Sequence, residues 1–178
     1  AECMAAVLTN RGGYYSAFAY VSEARRMGLR VLLPDVNESR KAYWGKGGTV
    51  RVGLMQLKWL RAAALEAILE ERGKKPFASL EDFLSRMDPD PSDIKILIKS
   101  GAMDSISGGA TRPEMIWKAL AWSAARAARR PIMRSLFQDM PSVVPPRVPQ
   151  YSPRTVLEHE LETLDFLISR HPLSLYAA

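Results

Sequence analysis

At 178 residues the chain has room for one large domain or two small ones, and 47% hydrophobic with 25% charged residues fits a globular chain with a buried core. A net charge of +6 and a pI near 9.6 favour acidic partners such as nucleic acid. Cys3 is the single cysteine, which excludes an internal disulfide; no apolar run reaches membrane-spanning length and no signal peptide is visible, so a cytoplasmic chain without membrane contact is expected.

The chain opens on Ala1-Glu2-Cys3-Met4 and reads as a piece of something larger. Ala1–Leu8 is the end of a helix, and the turn 9–13 leads to an amphipathic helix over Tyr15–Met27. Phe18, Val21 and Ala24 share its face with Tyr14, and Gly28 caps it. Leu29–Leu33, closed by Pro34, reads as a strand. A second strand begins at Tyr43-Trp44, 45–48 is a loop, and Thr49–Gly53 is a third strand. The adjacent Arg25 and Arg26 read as a solvated helix face, with phosphate contact as the alternative.

From Arg51 to Asp104 the pattern is one of short helices and tight turns. Leu54, Leu57, Leu60, Ala64, Leu65, Ile68 and Leu69 recur at helical spacing, with a break near Lys58–Arg61. Two short helices and a hairpin turn can grip a nucleic-acid backbone, because N–H groups of the turn and of the second helix point at phosphate. A small helical core without a ligand gives the same pattern. Ser79 is the N-cap of a helix over Leu80–Met87, with Glu81 and Asp82 in its first turn. Asp88 and Asp90 lack the glycine and further ligands of a calcium loop. Ser92 is expected to cap the next helix, which carries Ile94, Leu97 and Ile98 and ends at Gly101.

Thr111-Arg112-Pro113-Glu114 is a capping box that opens a long helix to about Arg129. Ile116, Leu120, Ser123, Ala124 and Ala127 fall on one face. Between Arg112 and Arg134 six basic residues stand against Glu114 alone, so Lys118, Arg126, Arg129 and Arg130 join Lys58 and Arg61 as candidate DNA ligands. A solvated helix face is the competing account. Six of the twelve prolines lie in 131–153, which reads as an extended linker. Ser152-Pro153 starts a final helix with an apolar stripe of Leu157, Leu161, Leu164 and Ile168.

Several of these runs carry a resemblance. Ala1-Glu2-Cys3-Met4-Ala5-Ala6-Val7-Leu8-Thr9-Asn10 and Glu23–Ser39 (EARRMGLRVLLPDVNES) resemble the end of the fingers region of the bacterial DNA polymerase III alpha subunit, the C-family replicative polymerase. Gly53-Leu54, Leu57–Arg61, Pro76-Phe77, Ser79-Leu80, Asp82-Phe83 and Leu97–Asp104 are similar to its helix-hairpin-helix region. Where the family has two hairpin glycines this chain has Trp59 and Arg61. Glycine permits the left-handed backbone and the close phosphate approach, so side-chain contacts from Lys58 and Arg61 become the expected route to DNA. Met133-Arg134-Ser135-Leu136-Phe137 resembles the family's sliding-clamp pentapeptide, with Met133 in place of glutamine; Leu136 and Phe137 would fill an apolar pocket on the clamp. The run ending in Ser169-Arg170-His171-Pro172-Leu173 is similar to the stretch before the family's oligonucleotide-binding barrel, and His171 reads as structural. The altered hairpin leans towards the error-prone branch.

The expected fold is mainly α with a small N-terminal β-sheet and a helix-hairpin-helix-like bundle. It divides into 1–53 (end of fingers), 54–130 (helical domain), 131–153 (linker) and 154–178 (terminal helix). The resemblance implies a non-catalytic segment, since the family's catalytic carboxylates lie upstream and no equivalent cluster occurs here. No cofactor is expected in this segment, although the parent enzyme implies Mg. The implied partners are duplex DNA, the sliding clamp and the remainder of the polymerase chain. A scaffold that binds no DNA itself is the second reading; self-contained catalysis is disfavoured by the lack of a nucleophile–base pair.

Overall fold

The computed structural model describes residues 1–10, 15–128 and 147–170. Among them are seven α-helices, one three-stranded sheet and two 3-10 turns: α1 (Glu2–Asn10), α2 (Ala17–Arg26), β1 (Arg30–Leu32), β2 (Trp44–Lys46), β3 (Thr49–Arg51), a 3-10 turn (Leu54–Gln56), α3 (Ala62–Lys74), α4 (Leu80–Met87), α5 (Pro91–Lys99), a second 3-10 turn (Asp104–Ile106), α6 (Arg112–Ala128) and α7 (Pro153–Leu164). The mainly helical class with a small N-terminal sheet is as the sequence indicates. The sheet runs in the order β1-β3-β2, with β1 parallel and β2 antiparallel to β3. β2 reaches into the stretch expected as loop, leaving only Gly47-Gly48 as the turn, both at positive φ.

One apolar core runs from Ala5 and Leu8 through Val50 and Val52 to Phe83, Ile98 and Phe166. Three faces differ from the sequence expectation. On α2, Val21 and Ala24 are buried, but Phe18 is exposed and Tyr14 lies outside the described residues. On α6 Met115 and Ala119 are buried, Ile116 packs beside them and Ser123 is half-buried as expected, but Leu120, Ala124 and Ala127 face solvent. The inward face is the one packed on α5 and α4, and the capping box opens the helix as spelled. Thr111 N–H donates to Glu114 Oε2 (2.9 Å), and Glu114 N–H donates to Thr111 Oγ1 (3.3 Å). On α7 Leu157 and Leu164 are buried together with Glu160 and Thr163, while Leu161 is exposed; the helix ends at Leu164, and Ile168 is buried beyond it.

The cap of α5 also moves. Asp90, not Ser92, is the N-cap, accepting from Ser92 N–H (2.9 Å) and Ser92 Oγ (2.7 Å). Pro91 has no N–H and suits the first helical position, which shifts the cap to the residue before it.

The runs that carry the resemblance are clasps. Asn37 exchanges two hydrogen bonds with the Phe77 backbone, both 2.8 Å. Ser39 Oγ donates to Val52 O (2.7 Å), and Arg72 donates to the carbonyls of Val36 (2.9 Å) and Ser39 (2.6 Å). The 35–39 turn is thereby tied to the residue after β3, to α3 and to the segment before α4. Gly101 takes φ +83°, where a Cβ would lie 2.5 Å from the Arg112 guanidinium. Arg112 is buried and donates to Asp104 (2.6 and 3.0 Å) and to Lys99 O (3.1 Å). Arg25 donates to the Ile168 carbonyl, and Arg26 pairs with Glu23 at 2.6 Å. Residues 147–152 are strapped to the start of α6: Val148 N–H donates to Glu114 Oε1 (3.1 Å), and Arg112 N–H to Gln150 Oε1 (3.3 Å).

Candidate nucleic-acid interface

The expected pair of α-helices around the hairpin is reduced on its first side to the single 3-10 turn Leu54–Gln56. Gly53 and Leu57 are both extended and bracket that turn, so an α-helix cannot propagate through it. The next amide, Lys58 N–H, leaves the local ladder and donates to Thr163 O on α7 (2.8 Å). Gln56 Nε2 donates to Leu164 O (3.0 Å). The end of α7 therefore supports the hairpin from beneath, while Leu54, Leu57, Leu65 and Ile68 are buried in the core.

The turn itself keeps the backbone a glycine would give it. Trp59 sits at φ +67° with 81% of its surface exposed. An L-residue there carries about 1–2 kcal/mol of steric strain. Arg61, at the second position, is ordinary extended backbone (φ −65°, ψ 138°) and stands as the N-cap of α3 without a side-chain cap. Replacing Trp59 with glycine is therefore expected to stabilise the chain by about 1 kcal/mol in urea unfolding, since little apolar burial is lost. A destabilised variant would show that the indole contributes packing.

Each candidate DNA ligand in the described residues already faces a carboxylate. Lys58 Nζ lies 2.6 Å from Asp165 Oδ1. Arg61 binds Asp93, which is only 1% exposed, through Nε (2.8 Å) and Nη2 (2.7 Å), and its own N–H adds a 3.3 Å bond to the same group. That hydrogen bond, with the attraction of the carboxylate behind it, raises the Arg61 pKa above its ordinary value. Lys118 pairs with Glu81 at 3.1 Å, and Arg126 pairs with Asp88. The Glu81 carboxyl is held below its usual range by a backbone hydrogen bond first, then by Lys118. Asp90 is lowered by the hydroxyl and then the N–H of Ser92. The positive stripe of α6 is thus answered by acids of α4 and the loop after it.

The structure brings Arg61 and Arg126 together. With Asp88, Asp90 and Ser123 they line an open cleft of about 460 Å³ between the start of α5 and the end of α6. Lys118 and Lys58 lie outside its lining. Arg129 and Arg130, and Met133, Ser135, Leu136 and Phe137 of the clamp-like pentapeptide, lie outside the described residues, as does His171. Among the described residues no group of His, Cys, Asp and Glu side chains is arranged to hold a metal ion, and no helix is long and apolar enough to cross a membrane.

Comparison with known proteins places this geometry. The helix-hairpin-helix motif family matches residues 28–115, which take in β1 to the start of α6 and include the Trp59 turn. The chain is 34% identical to the DNA polymerase III subunit alpha of Thermus aquaticus, over 98% of this chain and 15% of that protein. It is 37% identical to the one from Deinococcus radiodurans, over 97% and 14%. The chain belongs to the DNA polymerase III alpha family. An error-prone DNA polymerase from Ralstonia nicotianae is 31% identical over 92% of the chain and 15% of its own length. The chain spans about one seventh of the length of these relatives.

In this alpha-family chain the residues that sequence reasoning misses are the hairpin's partners: Asp93, Asp165, Thr163 and Glu160. Asp93, Asp165 and Thr163 stand 32 to 107 positions from the groups they bind at the hairpin, and Glu160 acts through the tail beside it. No local signal marks them. A buried Asp at the start of α5 is indistinguishable in sequence from a favourable first-turn acid.

Proposed function

We propose that the chain is a non-catalytic segment of a DNA-directed DNA polymerase that holds duplex DNA through the 54–74 hairpin and ties the enzyme to a sliding clamp through Met133–Phe137. The observation that carries the DNA-holding part is the left-handed turn at Trp59, within the span matched by the helix-hairpin-helix family. The turn aims the start of α3 outward, where backbone N–H groups meet phosphate. The remainder of the polymerase chain would supply the metal-dependent chemistry, with Mg as its ion. The clamp tether is supported by the spelling of the pentapeptide and by its position after the hairpin region, where similar polymerases carry their clamp motif.

A salt series tests it. Association with a labelled blunt duplex should weaken steeply as salt rises, and the slope should fall by about one for each phosphate contact removed. Lys58→Ala/Arg126→Ala is the suitable variant, because Arg61 also serves the buried Asp93. A slope unchanged in that variant would take these two cations off the interface. A second reading, a scaffold without DNA affinity, is favoured by one observation: all four described candidate cations are paired with carboxylates. Absence of binding at low salt would establish it.

A further inference from the structure

We propose that Trp59 is a base-stacking residue, placed at the hairpin tip to engage an unpaired nucleotide where duplex gives way to single strand. The inference rests on the DNA-holding reading and deepens it. Three observations combine. Trp59 is held at φ +67°, a conformation that glycine adopts freely and tryptophan does not. Its indole is 81% exposed and has no hydrogen bond, ring contact or ion pair among the described residues. Both local costs fall on one residue with no intramolecular return, and backbone outliers of this kind concentrate at functional positions. The third observation is its setting. Trp59 stands between Lys58 and Arg61, whose charges are answered by Asp165 and by Asp93 with Asp90.

That setting selects the ligand. Phosphate is met beside the tip, at the start of α3 and at Lys58, while the tip itself presents an exposed indole where a glycine would leave the amide open. The face of a nucleobase meets a flat apolar surface, which stacks without regard to base identity. Bases inside an intact duplex do not offer that face, so the partner is an unpaired nucleotide. Intercalation between paired bases would require unstacking a step and is the alternative outcome.

The test uses the whole 178-residue chain and two fluorescein-labelled probes. One is a blunt 20-base-pair duplex; the other is the same duplex with a five-nucleotide thymidine overhang. Anisotropy titrations compare the wild type with Trp59→Gly, which retains the left-handed turn, and Trp59→Phe, which retains an aromatic face. The wild type should prefer the overhang probe. Trp59→Gly should weaken overhang binding by roughly ten-fold and leave the blunt duplex within two-fold, while Trp59→Phe should keep most of the preference. Equal binding of both probes that Trp59→Gly does not change would overturn the stacking role and leave the DNA-holding reading intact. Loss on Trp59→Gly confined to the blunt duplex would replace stacking by intercalation. No binding of either probe would remove both readings together.

Discussion

Glu160→Ala is expected to destabilise the chain by about 4 kcal/mol, measured by urea unfolding followed by circular dichroism. Glu160 is completely buried on α7. Its Oε2 accepts from Ile168 N–H (2.6 Å) and Ser169 N–H (3.0 Å), and its Oε1 accepts from the Ser169 hydroxyl. A carboxylate is the side chain that can turn the chain back on itself here, because it offers acceptors to three donors at once. Alanine would leave two backbone N–H groups without partners beside a cavity, at about 1–3 kcal/mol for each unsatisfied donor. The consequence reaches the candidate interface. The neighbouring carbonyls of Thr163 and Leu164 hold Lys58 N–H and Gln56, so loosening the end of α7 loosens the floor of the hairpin. Glu160→Gln keeps an acceptor oxygen and should lose less than half as much. A loss below about 1 kcal/mol in the alanine variant would mean that water replaces the carboxylate, and the tail would not be the support described above.

Gly53→Ala should cost about 3 kcal/mol or more, by a different mechanism. Gly53 has φ −77° and ψ 152°, which alanine adopts without strain. The obstacle is space. A Cβ there would lie 2.4 Å from the carbonyl carbon of Ala42, 2.5 Å from Lys41 O and 2.6 Å from Ala42 O. These are backbone atoms and cannot rotate away. The chain after β3 would have to move, and with it the bonds from Leu54 N–H to Arg40 O and Met55 N–H to Lys41 O, both 3.0 Å. That movement would shift the 3-10 turn on which the hairpin begins. Gly73 supplies the contrast. It sits in α3 with nothing within 4 Å of its absent Cβ, so Gly73→Ala should stabilise by about 0.5–1 kcal/mol through helix propensity. Equal tolerance of the two substitutions in thermal melts would refute the steric account of Gly53.

By itself the sequence determined the elements whose causes are local. Period-3.6 apolar spacing and side-chain caps located α3, α4 and α6; the cap at Ser79, which accepts from Asp82 N–H at 3.1 Å, and the reciprocal Thr111–Glu114 box stand where their spelling puts them. Branched residues before Pro34 located β1, and the runs of motif similarity identified the family. Only the tertiary structure decided the faces and the pairings. Leu120 and Leu161 read as inward by spacing but face solvent, since the inward face is set by where a helix enters and what it packs on. The collapse of the first hairpin helix to a 3-10 turn follows from Lys58 N–H bonding across to Thr163, a contact 105 positions away that no local pattern encodes. The positive residues of α6 were legible as charges, but their neutralisation by Glu81 and Asp88 was not, because side chains meet across helices according to packing and not to order in the chain. The same reason governs Trp59: its sequence reads as the loss of a glycine, and only the surrounding fold holds it in the glycine's conformation.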